Sequence, residues 1–434
     1  MQPLYDLLAN LAGPPLVLAA SAWGRFGGRW RERLGLTFFP HRDYLRPRLW
    51  FHGSSAGEIQ AAAAVIAAVL EARPATDIYL SAATPAGLAR AADFHAGEPR
   101  VRVMAVPLDF WGAPGRTAAR LKPEALIIME TELWPNLIRA ARAQGAKIIL
   151  ASARLSERSF RRYRLIRPFM AGLLAEFDLI AAAGPGEREL FAALGAPEDR
   201  LTVSGNPKFD RLLSQAGRPD FKTRAAELKT RLWGKAPQGP LVVAGSTRQG
   251  EEDIMADAAE RLWPGRPDFR LVLAPRHVGR ARDVAERLRN RGLSVALSEE
   301  TGPLFPRAQV VVVETLGQLS AFYALATVAV VGGSFRPGYS GHNPLEPAAL
   351  ARPVLFGPHM DSFAAEAKGL TASGGARTSR PETLADDLSL WLNDPIAAGA
   401  AGQASRDFLA ARPAAAPVLA ASILSFIPGK EIHP

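Results

Sequence analysis

Short apolar runs alternate with helix-length segments along most of the chain after Arg48. Runs of five or six residues predict buried strands in the first half, namely RLWFH, DIYLS, VRVMAV, ALIIM, KIILA and DLIAAA. The second half has similar short runs, namely PLVVAG, FRLVLA, QVVVV, TVAVVG and PVLF. The segments between them, such as Glu58–Ala72 and Trp134–Ala143, carry apolar residues at helical spacing. This regular alternation favours βαβ units, and therefore parallel sheets covered by helices on both faces.

A charged stretch at residues 211–239 separates the two series of strands, so we predict an α/β fold with two doubly wound domains. The length of 434 residues agrees, since domains average roughly 150 residues. The predicted segments are an apolar and basic membrane anchor at 1–35, a first Rossmann-like domain at 36–210, a linker at 211–239, a second Rossmann-like domain at 240–410, and a C-terminal helix at 411–434 that packs on the first domain. Two such domains facing each other would leave a ligand-binding cleft at the carboxyl ends of their strands.

Composition narrows the classes of partner. The chain has no cysteine, which excludes disulfide scaffolds, thiolate metal sites and thiol nucleophiles. Its 52 Lys and Arg exceed its 42 Asp and Glu, and the net charge of +10 suits an anionic partner such as a nucleotide or acidic lipid. Nucleic acid is not expected, because no stretch interleaves aromatic with basic residues. No metal is expected either, because His and Asp residues lack ligand spacing.

The N-terminal segment Leu4–Trp23 is the most lipid-like part of the chain. It is about long enough to cross a bilayer, which takes roughly 20 apolar residues, although Asp6, Asn10 and a Pro-Pro pair interrupt it. Basic residues follow, at Arg25, Arg29, Arg31 and Arg33, with Trp23 and Trp30 among them. This pattern is typical of the cytoplasmic side of a membrane anchor. The alternative is a buried N-terminal helix; in either case the rest of the chain would lie in the cytoplasm.

Six arginines lie between Arg154 and Arg167, within SARLSERS and RRYRLIR. A solvated helix face is the usual explanation for such a run. The alternative is a surface that faces phosphate or acidic lipid, since arginine binds phosphate with two parallel hydrogen bonds.

Acidic and basic side chains follow the predicted strands of the first half. Glu58 ends HGSSAGE and opens a helix, where it is either a catalytic base or an acid favoured by the helix dipole. Glu130 and Glu132 follow a buried strand in METELWPN. They either have a catalytic function, or Glu132 caps the next helix while Glu130 holds an arginine. Lys208, in GNPKFD, is predicted to project into the cleft.

The second half carries three loop motifs, AGSTRQGEE, APRH and GGSFRPGYSGHNPLEP. AGSTRQGEE has the pattern of a strand, a turn of small residues and the start of a helix. This arrangement presents backbone amides to a phosphate. The candidate phosphate contacts are Ser246, Thr247, Gly333 and Ser334. Glu346 in the last motif is placed to bind ribose hydroxyls. His277 and His342 are either ligand-binding groups or structural imidazoles with partners inside the protein.

In this order the motifs closely resemble those of the bacterial 3-deoxy-D-manno-octulosonic acid (Kdo) transferases, from the N-terminal apolar segment to about Pro358. METELWPN and GHNPLEP are long and therefore specific. The resemblance implies a GT-B fold of two facing Rossmann-like domains. It also implies metal-independent transfer of Kdo from CMP-Kdo to a lipid A precursor (lipid IVA), with inversion, in lipopolysaccharide core biosynthesis at the cytoplasmic face of the inner membrane. No cofactor is implied beyond the donor substrate.

The resemblance also implies roles for individual residues. Glu58 takes the place of the general base, and Glu130 and Lys208 take the places of residues that stabilise the transition state. The CMP-binding positions fall on Pro275, Arg276, Leu316, Gly317, Gln318, Asn343, Pro344, Leu345 and Glu346. The chain departs from the family at Gln318, where a glutamate is frequent, and in SSAGE, where many members have VSVGE.

Two other functions remain open from the sequence. One is a GT-B enzyme with another nucleotide, or a sugar-nucleotide epimerase. The other is a catalytically inactive, membrane-bound interaction protein, which leaves unexplained why Glu58, Glu130 and Lys208 all follow strands.

Overall fold

The computed structural model describes residues 5–13, 15, 28–37, 46–217, 219–234, 239–300 and 308–427. The chain divides into two compact units, one formed by Met1–Asp210 with Pro413–Pro434 and the other by Arg211–Arg412. Each unit is built on a parallel sheet of seven strands with helices on both faces. The predicted α/β class with two doubly wound domains is therefore confirmed.

The first unit has the strand order β3-β2-β1-β4-β5-β6-β7. Its strands are β1 (Arg48–His52), β2 (Asp77–Ala82), β3 (Val101–Ala105), β4 (Ala125–Met129), β5 (Lys147–Ala153), β6 (Leu179–Ala182) and β7 (Leu201–Val203). Its helices are α1 (residues 5–13), α2 (Trp30–Arg33), α3 (Ala56–Ala72), α4 (Pro85–Phe94), α5 (Ala113–Leu121), α6 (Pro135–Ala143), α7 (Glu157–Leu165), α8 (Arg167–Leu174) and α9 (Pro185–Ala193).

The second unit has the strand order β10-β11-β9-β8-β12-β13-β14. Its strands are β8 (Leu241–Thr247), β9 (Arg270–Pro275), β10 (Val295–Leu297), β11 (Val310–Val312), β12 (Val328–Val331), β13 (Val354–Phe356) and β14 (Ala376–Thr378). The remaining helices are α10 (Pro207–Gly217), which spans the boundary between the units, α11 (Pro219–Trp233), α12 (Glu251–Leu262), α13 (Ala281–Asn290), α14 (Leu319–Leu325), α15 (Leu345–Ala349), α16 (Ala364–Ala372), α17 (Leu384–Asn393), α18 (Pro395–Ala410) and α19 (Ala415–Ser425).

The central strands are apolar on both faces because each face is covered by helices. In β1, Trp50 joins the core on one side of the sheet, while Leu49 and Phe51 join the core on the other. All three are fully buried. Successive side chains of a strand point to opposite faces, so a strand buried on both faces has no polar alternation. This is why continuous apolar runs identify these strands in the sequence.

The C-terminal helix α19 packs on α3 of the first unit. Its Leu419 and Ile423 belong to the same apolar core as Ile59 and Ile66 of α3. The stretch Pro395–Ser425 is long and apolar enough to cross a membrane by composition. It is nevertheless divided into α18 and α19, and α19 buries its apolar side in the protein. The apolar character of α19 is therefore explained by packing on α3.

Part of the predicted membrane segment lies within the described residues. The hydroxyl of Tyr5 in α1 donates to Asp109 at 2.7 Å, and Asn10 accepts from the backbone N–H of Trp111 at 2.8 Å. On other positions of α1, Leu7, Leu8 and Leu11 are exposed. Thus α1 is attached to the first unit and also presents apolar side chains to its surroundings. Residues 16–23 of the predicted segment lie outside the described residues.

Two local predictions were wrong. The stretch 211–239 was expected to be a linker, but it contains most of α10 and all of α11. The leucines of α11, Leu228 and Leu232, pack into the core of the second unit. The short strands β7, β10 and β14 were not predicted; β7 and β14 bury only one residue each and so lack a continuous apolar run, unlike the equally short β11 and β13. All three lie at sheet edges.

Candidate active site

The two central strands of the first sheet, β1 and β4, define its topological switch point. The chain passes from β1 to β2 and β3 on one side, then returns to β4 and continues on the other side. Ligands of doubly wound sheets bind in the crevice outside the carboxyl ends of such strands. Glu58 follows β1 and Glu130 follows β4, so both predicted catalytic carboxylates lie at this crevice.

Glu58 lies in the first turn of α3 and is held by the serines that precede the helix. Ser55 is the N-cap, and its hydroxyl donates to one Glu58 carboxylate oxygen at 2.7 Å. The backbone N–H of Ser54 donates to the other oxygen. Burial raises the pKa of Glu58 above its usual value of 4.5, while the hydrogen bonds from Ser55 and Ser54 act in the opposite direction. Glu58 is therefore both an element of the helix cap and a carboxylate suited to accept a proton.

Lys208 joins the two carboxylates at the same place. Its ammonium group forms an ion pair with Glu130, and both side chains are largely buried. A Cβ atom added to Gly57 would lie 3.5 Å from this ammonium nitrogen, so Lys208 passes beside the first turn of α3. The nearby charges of Glu130 and Lys208 act on the pKa of Glu58 with opposite signs. The structure thus brings Glu58, Glu130 and Lys208 together.

Glu130 has a strained backbone. Its φ of 58° lies in the left-handed region that residues other than glycine rarely adopt. Its N–H donates to the carbonyl of Ala151 at 3.0 Å, which fixes the turn that follows β4. Strain of this kind costs of order 1–3 kcal/mol and is found mainly at functional sites. The conformation places the Glu130 side chain where it meets Lys208.

Glu132 is an additional acidic member of this cluster. Its carboxylate accepts from the indole N–H of Trp134 at 2.7 Å and lies 4.0 Å from Nε2 of His52. Burial raises the pKa of Glu132, and the charge of Glu58 adds to that effect. Burial lowers the pKa of His52 to about 4, so this imidazole is neutral near pH 7. The sequence indicated Glu132 as a candidate but gave no signal for His52 or Trp134.

The alternative, non-catalytic prediction for Glu130 and Glu132 was wrong about the partner of each residue. Glu130 pairs with a lysine rather than with an arginine. The first turn of α6 is capped by Asp109, which accepts from the N–H groups of Asn136 at 3.1 Å and Leu137 at 2.7 Å. Glu132 therefore does not cap α6, and its carboxylate stays with the cluster around Glu58.

The predicted nucleotide-binding residues of the second unit lie at strand ends, on the loops that follow, or at the start of the next helix. Pro275 ends β9, and Arg276 after it is exposed. Asn343 accepts from the N–H of Leu345 at 3.0 Å and precedes α15 with Pro344. Burial raises the pKa of Glu346, and the Asn343 side chain and the Arg276 charge oppose that shift.

Gln318, with Leu316 and Gly317, lies on the loop between β11 and α14. Its amide N–H₂ donates to Glu299, which also accepts from the Thr315 hydroxyl at 3.1 Å. The amide oxygen of Gln318 is buried without a hydrogen-bond partner in the described part of the chain. Glu299 therefore places a carboxylate beside Gln318, and its contact with the amide N–H₂ group orients the Gln318 oxygen as an acceptor.

Three of the four predicted phosphate contacts already have partners. The backbone amides of Gly333 and Ser334 donate to the buried carboxylate of Glu251 at 2.6 and 2.9 Å. The Thr247 hydroxyl donates to Glu252 at 3.1 Å, and Thr247 is fully buried. These groups are therefore not open to a phosphate, which corrects the prediction for Thr247, Gly333 and Ser334.

Ser246 differs from these three residues. It is half-buried, has a φ of 56° and lies where the pairing of β8 with β9 shifts by one residue. Two residues further along the chain is Arg248, whose side chain contacts His277 and His342. Arg248 was not predicted from the sequence, because a single arginine after a strand carries no motif. No cluster of three potential metal ligands occurs among the described residues.

Comparisons with known proteins identify relatives of this chain. A family model described as "3-Deoxy-D-manno-octulosonic-acid transferase (kdotransferase)" matches residues 28–211. The Arabidopsis thaliana protein named probable 3-deoxy-D-manno-octulosonic acid transferase, mitochondrial, is 33% identical over 415 residues, covering 91% of this chain and 88% of its own length. The 3-deoxy-D-manno-octulosonic acid transferase of Bordetella pertussis is 32% identical over 399 residues, covering 89% of this chain and 90% of its own.

Solved structures with little sequence identity share the fold. A UDP-GlcNAc 2-epimerase from Neisseria meningitidis matches with a TM-score of 0.60 and 13% identity over 87% of this chain and 99% of that one. A glycosyltransferase from Rickettsia africae gives a TM-score of 0.59 and 11% identity over 88% and 98%. These similarities support the GT-B architecture, but at this level of sequence identity they do not indicate an activity. The sequence matches, which extend over most of the chain and of its relatives, establish that it belongs to the Kdo transferase family.

Proposed function

We propose that this protein transfers Kdo from CMP-Kdo to a lipid A precursor, with inversion at the anomeric carbon and with Glu58 as the general base. The observation that carries the proposal is the convergence of Glu58, Glu130 and Lys208 at the switch point of the first sheet. A structural ion pair between Glu130 and Lys208 would not require a second, half-buried carboxylate whose pKa is raised by burial. A base that takes a proton from a sugar hydroxyl does require one.

The reaction forms one bond and breaks one. The acceptor hydroxyl gives its proton to Glu58, its oxygen bonds to the anomeric carbon of Kdo, and the bond from that carbon to the phosphate oxygen breaks. The products are the glycolipid, CMP and protonated Glu58, which returns its proton to water. Attack from the face opposite the leaving group inverts the anomeric configuration.

In this scheme Lys208 stabilises negative charge on the donor sugar, and Glu130 positions Lys208. The donor brings a carboxylate and a phosphate, and Lys208 offers a cation to the negative charge of the sugar. Glu130 holds the lysine through their ion pair, so that the ammonium group is fixed before substrate binds. In the second unit, Arg276, Gln318, Asn343 and Glu346 are the polar side chains that we assign to CMP. Glu346 and the oriented oxygen of Gln318 supply acceptors for ribose hydroxyls or base amino protons.

A direct assay tests the proposal. Purified protein is incubated with CMP-Kdo and lipid IVA, and the products are weighed by mass spectrometry while CMP release is followed. We expect a glycolipid heavier by one or more Kdo units and an equal amount of CMP. An unchanged lipid with no CMP release would disprove the activity and favour an inactive interaction protein.

The nucleotide is tested separately, because GT-B enzymes use several. CMP, UDP and GDP are compared by thermal shift at equal concentration. A ligand at 100 times its Kd stabilises by about 2.7 kcal/mol, so the matching nucleotide should raise the melting temperature by several degrees. Stronger stabilisation by UDP would instead point to an epimerase or to another transferase.

Ser55→Ala is expected to move the acid limb of the pH–rate profile upward. The Ser55 hydroxyl donates to the charged form of Glu58, so its removal raises the pKa of Glu58 further. A general base is active when deprotonated, and activity would therefore be lost at a higher pH than in the native enzyme. The measurement is kcat/KM against pH.

The control for this variant is Ser156→Ala. It removes the corresponding cap of α7, where the Ser156 hydroxyl accepts from Ser159 N–H at 3.1 Å, without touching Glu58. Loss of either cap costs about 1 kcal/mol. An unchanged acid limb in Ser55→Ala, with full activity, would argue against Glu58 as the base.

We also propose that the protein acts at the cytoplasmic face of the inner membrane. Supporting this, α7 has no buried residue and carries exposed arginines, with Leu165 and Ile166 exposed at its end. The neighbouring helix α8 contacts α1 through stacking of Phe169 on Tyr5 at 6.1 Å. Exposed apolar side chains beside arginines suit a surface of acidic lipid.

Leu165→Glu is expected to weaken binding to vesicles of anionic phospholipid by on the order of 10-fold, because one apolar contact is lost and one repelled charge is gained. Vesicle co-sedimentation measures this. Ile396→Glu is the matched control, since Ile396 is 85% exposed and Leu165 is 84% exposed, and Ile396 lies in the other unit. Equal binding of both variants would place the membrane surface elsewhere.

A further inference from the structure

Arg248 lies at the switch point of the second sheet. It directly follows β8, which pairs with β9 on one side and with β12 on the other. Its guanidinium Nε donates to Nε2 of His342 at 3.2 Å, on the loop after β12. Its Nη1 lies 2.9 Å from Nε2 of His277, on the loop after β9. The guanidinium therefore connects the three loops that border the crevice where such sheets bind ligands.

The contacts of Arg248 hold its side chain in place but do not neutralise it. Within the described residues, no carboxylate lies within 4.0 Å of the guanidinium of Arg248 or of Arg276, and Nη2 of Arg248 has no hydrogen-bond partner. The centre of the Tyr339 ring lies 5.4 Å from the guanidinium carbon of Arg248. The half-buried guanidinium therefore keeps its charge and part of its fork of N–H donors open to an anionic ligand.

The imidazole of His342 serves as an acceptor for Arg248. Burial lowers the pKa of His342 to about 4, and the charges of Arg248 and Arg276 act in the same direction. A neutral His342 presents a lone pair to Arg248 and adds no charge. Gly333 makes room for this ring, because a Cβ there would lie 2.7 Å from its Cδ2 atom.

The nearest acidic residues along the chain are committed to other partners. Glu251 accepts the backbone N–H groups of Arg248, Gly333, Ser334 and Phe335. Glu252 accepts two hydrogen bonds from the guanidinium of Arg280, at 2.9 and 3.1 Å. Neither carboxylate is therefore left to neutralise the Arg248 side chain.

We propose that Arg248, held by His277 and His342, binds an oxyanion of the donor substrate, either its phosphate or the carboxylate of its sugar. This rests on the proposed function, because it takes the donor to be an acidic sugar linked to a nucleoside monophosphate. The guanidinium uses Nη2 and the second N–H of Nη1 for the ligand. Arg248 is thus a binding residue in addition to the positions that the family resemblance assigns.

The test compares Arg248→Gln with the native enzyme on three probes. Titration calorimetry with cytidine and with CMP isolates the phosphate, and the KM for CMP-Kdo adds the sugar carboxylate. If Arg248 holds the phosphate, Kd for CMP rises on the order of 10- to 100-fold while Kd for cytidine is unchanged. If it holds the carboxylate, both Kd values stay the same and the KM for CMP-Kdo rises by a similar factor.

Two further variants make the result specific. Arg248→Lys keeps the charge but loses the fork of donors, and it should recover part of the affinity. Arg261→Gln removes the same charge from an exposed position of α12 that pairs with Asp386, and it should change nothing. Native affinity of Arg248→Gln for both CMP and CMP-Kdo would overturn the inference. Failure of the native protein to bind CMP at all would instead overturn the proposed function.

Discussion

Glu58→Gln is expected to reduce the rate of transfer by about 10²–10⁴-fold while leaving the Kd for CMP unchanged. Glutamine has the same shape and retains an acceptor oxygen for Ser54 N–H or for the Ser55 hydroxyl. It cannot take a proton from the acceptor alcohol. The loss should therefore appear in kcat, measured as CMP release at saturating CMP-Kdo and lipid acceptor.

The stability of this variant separates loss of the base from loss of the fold. A carboxyl whose pKa is raised by folding binds its proton more tightly in the native state than in the unfolded chain. Its contribution is favourable below the unfolded pKa and declines as the pH rises through the folded value. At neutral pH, ionised Glu58 therefore lowers stability, and Glu58→Gln should melt no lower than the native enzyme.

The control is Glu71→Gln, which changes the same charge on the exposed side of α3 and should keep full activity. The native pH profile should show an acid limb above pH 4.5, the ordinary pKa of a glutamate, because protonated Glu58 is inactive and its pKa is raised. A Glu58→Gln enzyme that works at the native rate would refute the assigned mechanism.

The strands that position this site were predictable from the sequence, because both faces of the sheets are covered. Trp50 and Ile128 lie in the core on one face, and Phe51 and Ile127 lie in the core on the other, so the runs are apolar throughout. The charged side chains that follow them then lie at the carboxyl edge by topology alone. Short edge strands such as β14 lack this signal, since its burial pattern has only one buried residue.

The partners of the site residues were not predictable in the same way. The left-handed turn at Glu130 depends on the carbonyl of Ala151 in the neighbouring strand, which no local pattern contains. The glycine-rich sequence predicted that the amides of Gly333 and Ser334 bind a phosphate. They instead donate to the carboxylate of Glu251, which lies more than 80 residues earlier in the chain. Sequence spacing shows which groups are available on a loop, whereas tertiary contacts decide which of them remain open.

Glu251→Ala is expected to lower the stability of the second unit strongly. Glu251 is 0% exposed, and its carboxylate accepts four backbone N–H groups, from Arg248, Gly333, Ser334 and Phe335, at 2.6–2.9 Å. Alanine leaves these donors buried without an acceptor, and each unsatisfied donor costs about 1–3 kcal/mol. Allowing for relaxation and water entry, we expect a loss of about 4 kcal/mol, or a melting temperature lower by about 10 °C.

The same change should loosen the loop after β12. Glu251 ties that loop to the start of α12, and the loop continues to His342 and the predicted CMP-binding residues at Asn343 and Glu346. Hydrogen exchange measured by mass spectrometry should show faster exchange at residues 333–335 and little change in β1 or β4 of the first unit. The Kd for CMP should rise in parallel, because binding must then order the loop.

Asp253→Asn is the matched control for this prediction. Asp253 lies in the same first turn of α12, and its replacement alters the helix dipole interaction by only about 0.3–1 kcal/mol. Glu251→Gln should fall between the two, because it keeps one acceptor oxygen and turns an N–H₂ group towards backbone N–H donors. If Glu251→Ala kept native stability and native exchange at residues 333–335, these contacts would not be what holds the loop. Native exchange with a lower melting temperature would place the effect of Glu251 in α12 instead.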